Sequence, residues 1–249
     1  MSVAQWSVAA ASATGQLHVR AALPCQDRFA WSWSAREVLA MAVADGAGCA
    51  PRAHLGAQAA VHAVISIAQR LGRWPPPPAA LAPSAFTGLF FGARAAVRYL
   101  AWRMQRPLEE FATTLSVAVL WRDHLLLGQV GDGLLTVRLR TGQIISPAPP
   151  ARGEYANETY LLTDDVWSTR LTFACLPAAA VEGFALSTDG LRLVATSDPV
   201  TGTPHRPFYD DMFDAVARGA DSHSLRLFLE QVDDRTGDDK CLLVVARRS

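Results

Sequence analysis

Lysine is almost missing from this chain: Lys240 is the only one, against 22 arginines. Charge of either sign is scarce. Only 18% of the 249 residues are charged, and 23 basic residues balance 23 acidic ones. A net charge of zero excludes a chain-wide field that would draw the protein to nucleic acid or to an anionic membrane. No apolar run approaches the roughly 18–20 residues that span a bilayer, and the run Val38–Ala44 is cut off by Asp45. The opening residues lack a basic segment followed by an apolar one, so no signal peptide is visible and the cytoplasm is the expected compartment. Four cysteines (Cys25, Cys49, Cys175, Cys241) stand far apart with no CxxC, which argues against a zinc knuckle or redox pair and for reduced, mostly buried thiols. Six histidines give neither HExxH nor HxH.

Apolar residues, by contrast, make up half of the chain. That excludes disorder over most of its length and suits one ordinary domain with a sizeable core. The front reads as strands at Gln5–Ala11, Arg28–Ser34 and Glu37–Ala44. In the second, Phe29, Trp31 and Trp33 alternate onto one face. The pattern then turns helical from Ala53 to Leu71, with Leu55, Ala59, His62 and Ile65 at helical spacings and Gly72 as a stop. Trp74 precedes Pro75–Pro78, a stiff linker near 74–78. A second helix runs over Ser84–Gln105. Strands are expected at Thr113–Trp121, His124–Val130 and Leu134–Leu139, with hairpin turns at Arg122–Asp123 and Asp132–Gly133. The polar, Pro-containing stretch from Ser146 to Arg170 reads as a loop, part of a candidate flap near 146–180. A strand at Gly183–Ser187, helices at Pro207–Arg218 and Ser222–Val232, and a last strand at Cys241–Ala246 complete the chain. This order is not a strict βα alternation, so antiparallel sheets covered by helices are expected.

The chemistry sits at strand ends. Asp45 follows Met41–Ala44 and precedes Gly46. Asp132 follows Gln129–Gly131. Asp189 follows Leu186–Thr188. Asp239 precedes Leu242–Val245. A carboxylate there is held by rigid backbone yet open to solvent. Several converging would repel unless a hard cation neutralised them, and oxygen-only ligation favours Mg²⁺ or Mn²⁺ over Zn²⁺. Each Asp-Gly alone is also a turn signal; the four sites together carry the argument.

Six segments in order resemble the PP2C (PPM) family of metal-dependent serine/threonine protein phosphatases, in its compact bacterial type: Pro24–Asp27, Val43–Gly48, Thr113–Leu115, Val130–Asp132, Ser187–Leu191 and Asp238–Lys240. The resemblance implies an α+β fold, a four-layer α-β-β-α sandwich of two antiparallel sheets flanked by helix pairs. It also implies a centre of two Mg²⁺ or Mn²⁺ ions. Carried over, Asp45 would bridge the metals and the Gly46 carbonyl would bind one of them. Asp189 and Asp239 would complete the shell of the first metal, and Asp27 would lie in that of the second, directly or through water. Asp132 with Asp189 would support a third, weaker ion. Hydrolysis would proceed by metal-activated water without a phospho-enzyme, consistent with the lack of Cys-x5-Arg.

Departures from the family pattern stand out. Cys25–Gln26 lacks the acidic residue that often precedes the position of Asp27. The family's phosphate-binding Arg lies closer to that Asp than Arg20 does. Arg20 is the candidate, with His18 and Arg52 as rivals. Ala47 stands where some members carry a His, so their proposed acid is missing. Asp164 and Asp165 read as solvated loop charges, and Asp233 and Asp234 as a helix end. Three functions compete: an active phosphatase acting on phosphoprotein substrates and opposing a serine/threonine kinase, as a monomer with neither nucleic-acid nor membrane partner; a pseudophosphatase that only binds; and a regulatory phosphatase of the sporulation or sigma-factor type, which shares this fold and chemistry. The retained Asp45, Asp189 and Asp239 favour catalysis.

Overall fold

The computed structural model describes residues 5–34, 37–71, 82–150, 159–232 and 235–248. The proline linker at 74–78 and Asp233–Asp234 lie outside the described residues. Two five-stranded antiparallel sheets form the centre. The first holds β2 (Arg28–Trp33), β3 (Val38–Ala44), β4 (Leu115–Trp121), β5 (His124–Val130) and β8 (Thr172–Pro177), in the order β2-β3-β4-β5-β8. The second holds β1 (Trp6–Ala13), β12 (Lys240–Arg247), β9 (Val181–Ser187), β6 (Leu134–Leu139) and the short β7 (Ile144–Ile145), in the order β1-β12-β9-β6-β7. A ribbon of β10 (Thr196–Asp198) and β11 (Thr203–Pro204) stands apart.

Strand periodicity builds the layers. Every residue of β3 is buried. Val38, Ala40, Ala42 and Ala44 face one core, while Leu39, Met41 and Val43 face another, as alternation across a pleat requires. The first core lies under α2 (Ala53–Leu71) and α3 (Ala82–Met104); the second, with Leu243, Val245 and Phe184, fills the space between the sheets. The opposite face of β12 (Leu242, Val244, Ala246) joins Tyr209 and Phe213 of α5 (Arg206–Ala217) and Leu225 and Leu229 of α6 (Ser222–Gln231) in a third core. The result is the four-layer α-β-β-α sandwich. Among the described residues no helix is long and apolar enough to cross a membrane.

Several expectations need correcting. Asp132–Gly133 is a crossover, not a hairpin: β5 and β6 belong to different sheets, and β6 pairs with β9. Arg122–Asp123 does close a β4–β5 hairpin, with Arg122 at φ 51°. The candidate flap contains β8, which pairs along β5 from His124↔Pro177 to Gln129↔Thr172. On the edge strand β2, Phe29 and Trp33 pack toward the inter-sheet core, but Trp31 is left 38% exposed. The buried stripe of α2 is Ala57, Ala60, Val61, Val64 and Ala68, with His62 outside. Small residues let α2 approach the sheet and the short 3₁₀ turn Leu108–Phe111 closely.

Gly56 on α2 shows how close. A Cβ there would lie 2.0 Å from the Phe111 carbonyl oxygen. Gly56→Ala should therefore destabilise the fold by about 1–3 kcal/mol, the usual cost of overpacking. Gly88→Ala on the exposed side of α3 meets nothing within 4 Å and should stabilise by about 0.5–1 kcal/mol. Urea unfolding of the two variants beside the parent should give shifts of opposite sign; equal shifts would contradict the packing described.

Candidate metal centre

Antiparallel register brings the aspartates to one end of the sandwich. Arg28 pairs with Ala44, Val43 with Ser116 and Leu115 with Val130, so Asp27, Asp45 and the Val130–Asp132 segment leave the first sheet at the same edge. In the second sheet Ser187 pairs with both Leu242 and Leu134, which puts Asp189, Asp239 and the start of β6 together. The Asp132–Gly133 crossover joins the two sheets there.

Carboxylate oxygens of Asp45, Asp132 and Asp189 all lie within 4.8 Å of one another. Backbone and hydroxyl contacts fix each carrier. The Asp45 N–H donates to Thr114 Oγ1 at 3.0 Å, and its carbonyl accepts from Thr113 Oγ1 at 2.9 Å and from the Thr114 N–H at 2.8 Å. Gly46 bridges to Thr113. Asp132 Oδ2 accepts from Thr159 Oγ1 at 2.9 Å, and Arg192 on α4 (Arg192–Ala195) donates to the Asp132 carbonyl at 2.7 Å. Asp27 is fully buried beneath this group, accepting from Thr188 Oγ1 at 2.6 Å.

Packing carboxylates together in this way makes their ionised forms unfavourable. Burial, and then the charges of Asp27, Asp189, Asp132 and Asp238, raise the Asp45 carboxyl well above the ordinary range. Burial likewise raises Asp27, with Asp239 and Asp189 adding to it and the Thr188 hydrogen bond opposing. Asp189 is raised to about 6 by burial, Asp132 and Asp238, partly offset by Arg192. An all-oxygen donor set, crowded and partly desolvated, suits a hard divalent cation.

Asp239 is placed differently from Asp45, Asp132 and Asp189. Both Asp239 oxygens are taken by the protein. Oδ1 accepts from the Gly15 N–H at 2.7 Å, and Oδ2 accepts from the Gln26 N–H at 2.5 Å and from His18 Nδ1 at 2.8 Å. Asp239 is only 3% exposed, whereas its neighbour Asp238 is exposed and is the one whose charge bears on both Asp45 and Asp189. Adjacent residues entering a strand point to opposite sides, so one faces the cluster and the other faces in. Gly190 permits this packing, because a Cβ there would lie 1.9 Å from the Asp239 carbonyl oxygen.

Among the described residues Arg20 makes no ion pair with the clustered aspartates. It ends the short helix α1 (Gln16–Arg20) and is exposed; two positions on a helix are about 200° apart, so it faces away from His18, which reaches Asp239. Arg52 is paired with Glu110. Arg192, Thr188 and Asp238 are the residues that sequence reasoning passed over as site members. Arg192 carried a signal in its place directly after Asp189–Leu191; Thr188 and Asp238 adjoin aspartates that were singled out. Asp164 accepts from the Leu161 N–H at 2.7 Å, and Asp165 pairs with Arg94 at 3.0 Å. All four cysteines are free thiols, with Cys25 pushed up to about 12 by burial, Asp27 and Asp239.

The protein phosphatase 2C family model matches residues 14–230, most of the chain. The chain belongs to this family. It is 31% identical over 251 residues to serine/threonine-protein phosphatase 3 of Escherichia coli K12, covering 95% of this chain and 96% of that protein. Its fold matches the crystal structure of the serine/threonine phosphatase Stp1 from Staphylococcus aureus, with a TM-score of 0.65, 14% identity and coverage of 97% and 95%. It also matches the catalytic domain of the serine/threonine protein phosphatase PstP in complex with two manganese ions, with a TM-score of 0.60, 18% identity and coverage of 98% and 99%.

The repulsion among the carboxylates should be visible in stability. Asp45→Asn removes one charge from the centre of the cluster and should raise the Tm of the EDTA-treated protein, each kcal/mol being worth roughly 2–4 °C at this chain length. It should also lose the rise that millimolar MnCl₂ gives the parent. Asp239→Asn replaces an acceptor oxygen facing N–H donors and should instead destabilise by about 1–3 kcal/mol, while keeping its response to Mn²⁺. Differential scanning calorimetry with and without Mn²⁺ separates the two; identical behaviour would restore Asp239 as a metal ligand.

Proposed function

We propose that this protein hydrolyses phosphoserine and phosphothreonine in proteins with the help of two Mg²⁺ or Mn²⁺ ions, in the cytoplasm and in opposition to a serine/threonine kinase. The observation that carries the reading is the convergence of the Asp45, Asp132 and Asp189 oxygens within 4.8 Å at one end of the two sheets. Family membership and the 31% identical phosphatase support it.

Asp45, the Gly46 carbonyl, Asp189 and Asp238 would hold the ions, with Asp27 behind them and Asp132 available to a third. When bound, such ions lower the pKa of water toward neutrality and offset phosphoryl charge. The chain's own groups do the rest. Thr113 and Thr114 lock the backbone of Asp45, so its carboxylate does not reorganise during reaction. Thr188 ties Asp27 to the start of β12 by also accepting from the Cys241 N–H at 3.0 Å. Arg192 sits 3.7 Å from Asp132 Oδ2 and is a guanidinium beside the cluster, its planar fork suited to phosphoryl oxygens. With Ala47 after Asp45–Gly46, water is left to protonate the departing serine or threonine oxygen.

Hydrolysis of p-nitrophenyl phosphate and of a phosphothreonine peptide should require added Mn²⁺ or Mg²⁺ and vanish with EDTA. Asp45→Asn should cut turnover by at least about 10²-fold, the scale of losing one electrostatic stabiliser. Full activity in the metal-stripped protein, or near-normal turnover in Asp45→Asn, would reject the reading. Arg192→Ala should raise the KM for the phosphopeptide several-fold, and Arg20→Ala should leave it unchanged. The reverse result would return the phosphate contact to Arg20.

A further inference from the structure

Helix α3 and the residues up to Leu108 carry no acidic residue from Ala82 on, yet hold Arg94, Arg98, Arg103 and Arg106; Glu109 and Glu110 follow in the turn Leu108–Phe111, Glu110 being paired with Arg52. In a chain of zero net charge this is a strong local excess. Arg94 is engaged by the Leu162 and Thr163 carbonyls and by Asp165. The other three are exposed and have no carboxylate partner among the described residues. Between them two aromatic rings face solvent: Tyr99 is 57% exposed and Trp102 72%, with centroids 5.6 Å apart. An open groove of about 770 Å³ runs here, lined by Tyr99, Trp102, Arg103, Arg106 and Pro107 among others. Large exposed aromatics beside unpaired arginines are what protein interfaces enrich, and isolated solvent-facing helices do not need them.

The groove is tied to the metal centre through the chain. From Pro107 the chain runs through the turn Leu108–Phe111 to Thr113, which bonds Asp45 and bridges Gly46. Six residue steps span at most about 20 Å. A polypeptide whose phosphorylated residue sat at the aspartates could therefore lay a segment less than ten residues away across Tyr99 and Trp102.

We propose that this groove docks an acidic segment of the phosphoprotein substrate, carrying at least one apolar side chain for the Tyr99–Trp102 platform and carboxylates for Arg98, Arg103 and Arg106. The proposal rests on the phosphatase reading above, and its test separates the two. Two fluorescein-labelled peptides serve as probes. Both carry one phosphothreonine; one is flanked on both sides by Glu, Asp and Leu, the other by Ser and Gly. An unphosphorylated copy of the acidic peptide is the third probe.

Fluorescence anisotropy should show the unphosphorylated acidic peptide binding to the parent protein. Trp102→Ala and the double variant R103E/R106E should weaken it by about tenfold or more, as loss of hot-spot contacts does. Both variants should hydrolyse p-nitrophenyl phosphate as the parent does, since that substrate is too small to reach the groove. For the acidic phosphopeptide their KM should rise several-fold with kcat unchanged, and for the Ser/Gly phosphopeptide neither should change. Binding that ignores the substitutions or the acidic flanks would overturn the proposal. So would gel filtration revealing a dimer that Trp102→Ala dissociates, or co-sedimentation with phosphatidylserine vesicles in preference to the peptide. If no phosphate ester is hydrolysed at all, the phosphatase reading falls, while the anisotropy still decides whether the groove binds the acidic peptide.

Discussion

The fold holds like charges together against their mutual repulsion. At 4 Å two carboxylates repel by about 4 kcal/mol at an effective dielectric of 20, and here three lie within 4.8 Å with Asp27 buried behind them. Such an arrangement survives only if the backbone cannot relax away from it. Antiparallel pairing supplies that rigidity. The strand ends that carry Asp27, Asp45, Asp189 and Asp239 are fixed by registers running unbroken through two hydrophobic cores. An end crowded with like charges is thus carried by a stable sandwich, an ordinary exchange of stability for function.

Asp239 has a different part in the same design. Its carboxylate does not join the cluster but gathers the chain around it, accepting from Gly15, His18 and Gln26. These donors bracket α1 and the approach to Asp27, a segment with no buried residue in its helix to anchor it. One buried acceptor therefore replaces a missing hydrophobic contact and sets where Asp27 enters β2. The tie costs little in desolvation because the carboxylate is met by three donors, which is the condition under which a buried charge is tolerated.

Much of this was legible in the residues. The β3 run, the α2 boundaries at Ala53 and Leu71, and the α6 stripe of Leu225, Phe228 and Leu229 all appear where the periodicity places them, because burial on one or both faces writes a strong pattern. What escaped had weak local signals or depended on distant partners. β8 lies at a sheet edge with no fully buried residue, and its apolar run Phe173–Leu176 is only a short one, cut off by Pro177. Helix α1 is five residues long and buries none of them. Asp132–Gly133 has the composition of a hairpin turn, but which sheet the next strand joins is decided by β9, about fifty residues later. Asp238 and Asp239 differ by one position, and a one-residue offset exchanges the faces of a strand. Composition does not show that offset; the hydrogen bonds from Gly15 and Gln26 show where the Asp239 carboxylate lies.

The two helix layers then divide the remaining work unequally. The α5–α6 layer meets β1 and β12 with Tyr209, Phe213, Leu225 and Leu229, and its acidic Asp210 and Asp214 are drawn to Arg138. Its charges are largely spent within the molecule. The α2–α3 layer meets its sheet through alanine, valine and the Phe86–Phe90 pair, and the Phe111 carbonyl presses against Gly56. That close contact fixes the chain between Pro107 and Thr113, so the outer end of α3 and the Asp45 backbone form one rigid unit. Anything bound at Tyr99 and Trp102 is thereby held at a set distance from the carboxylates. Effective concentration at a second contact depends on such a fixed span, and here close packing of small residues provides it.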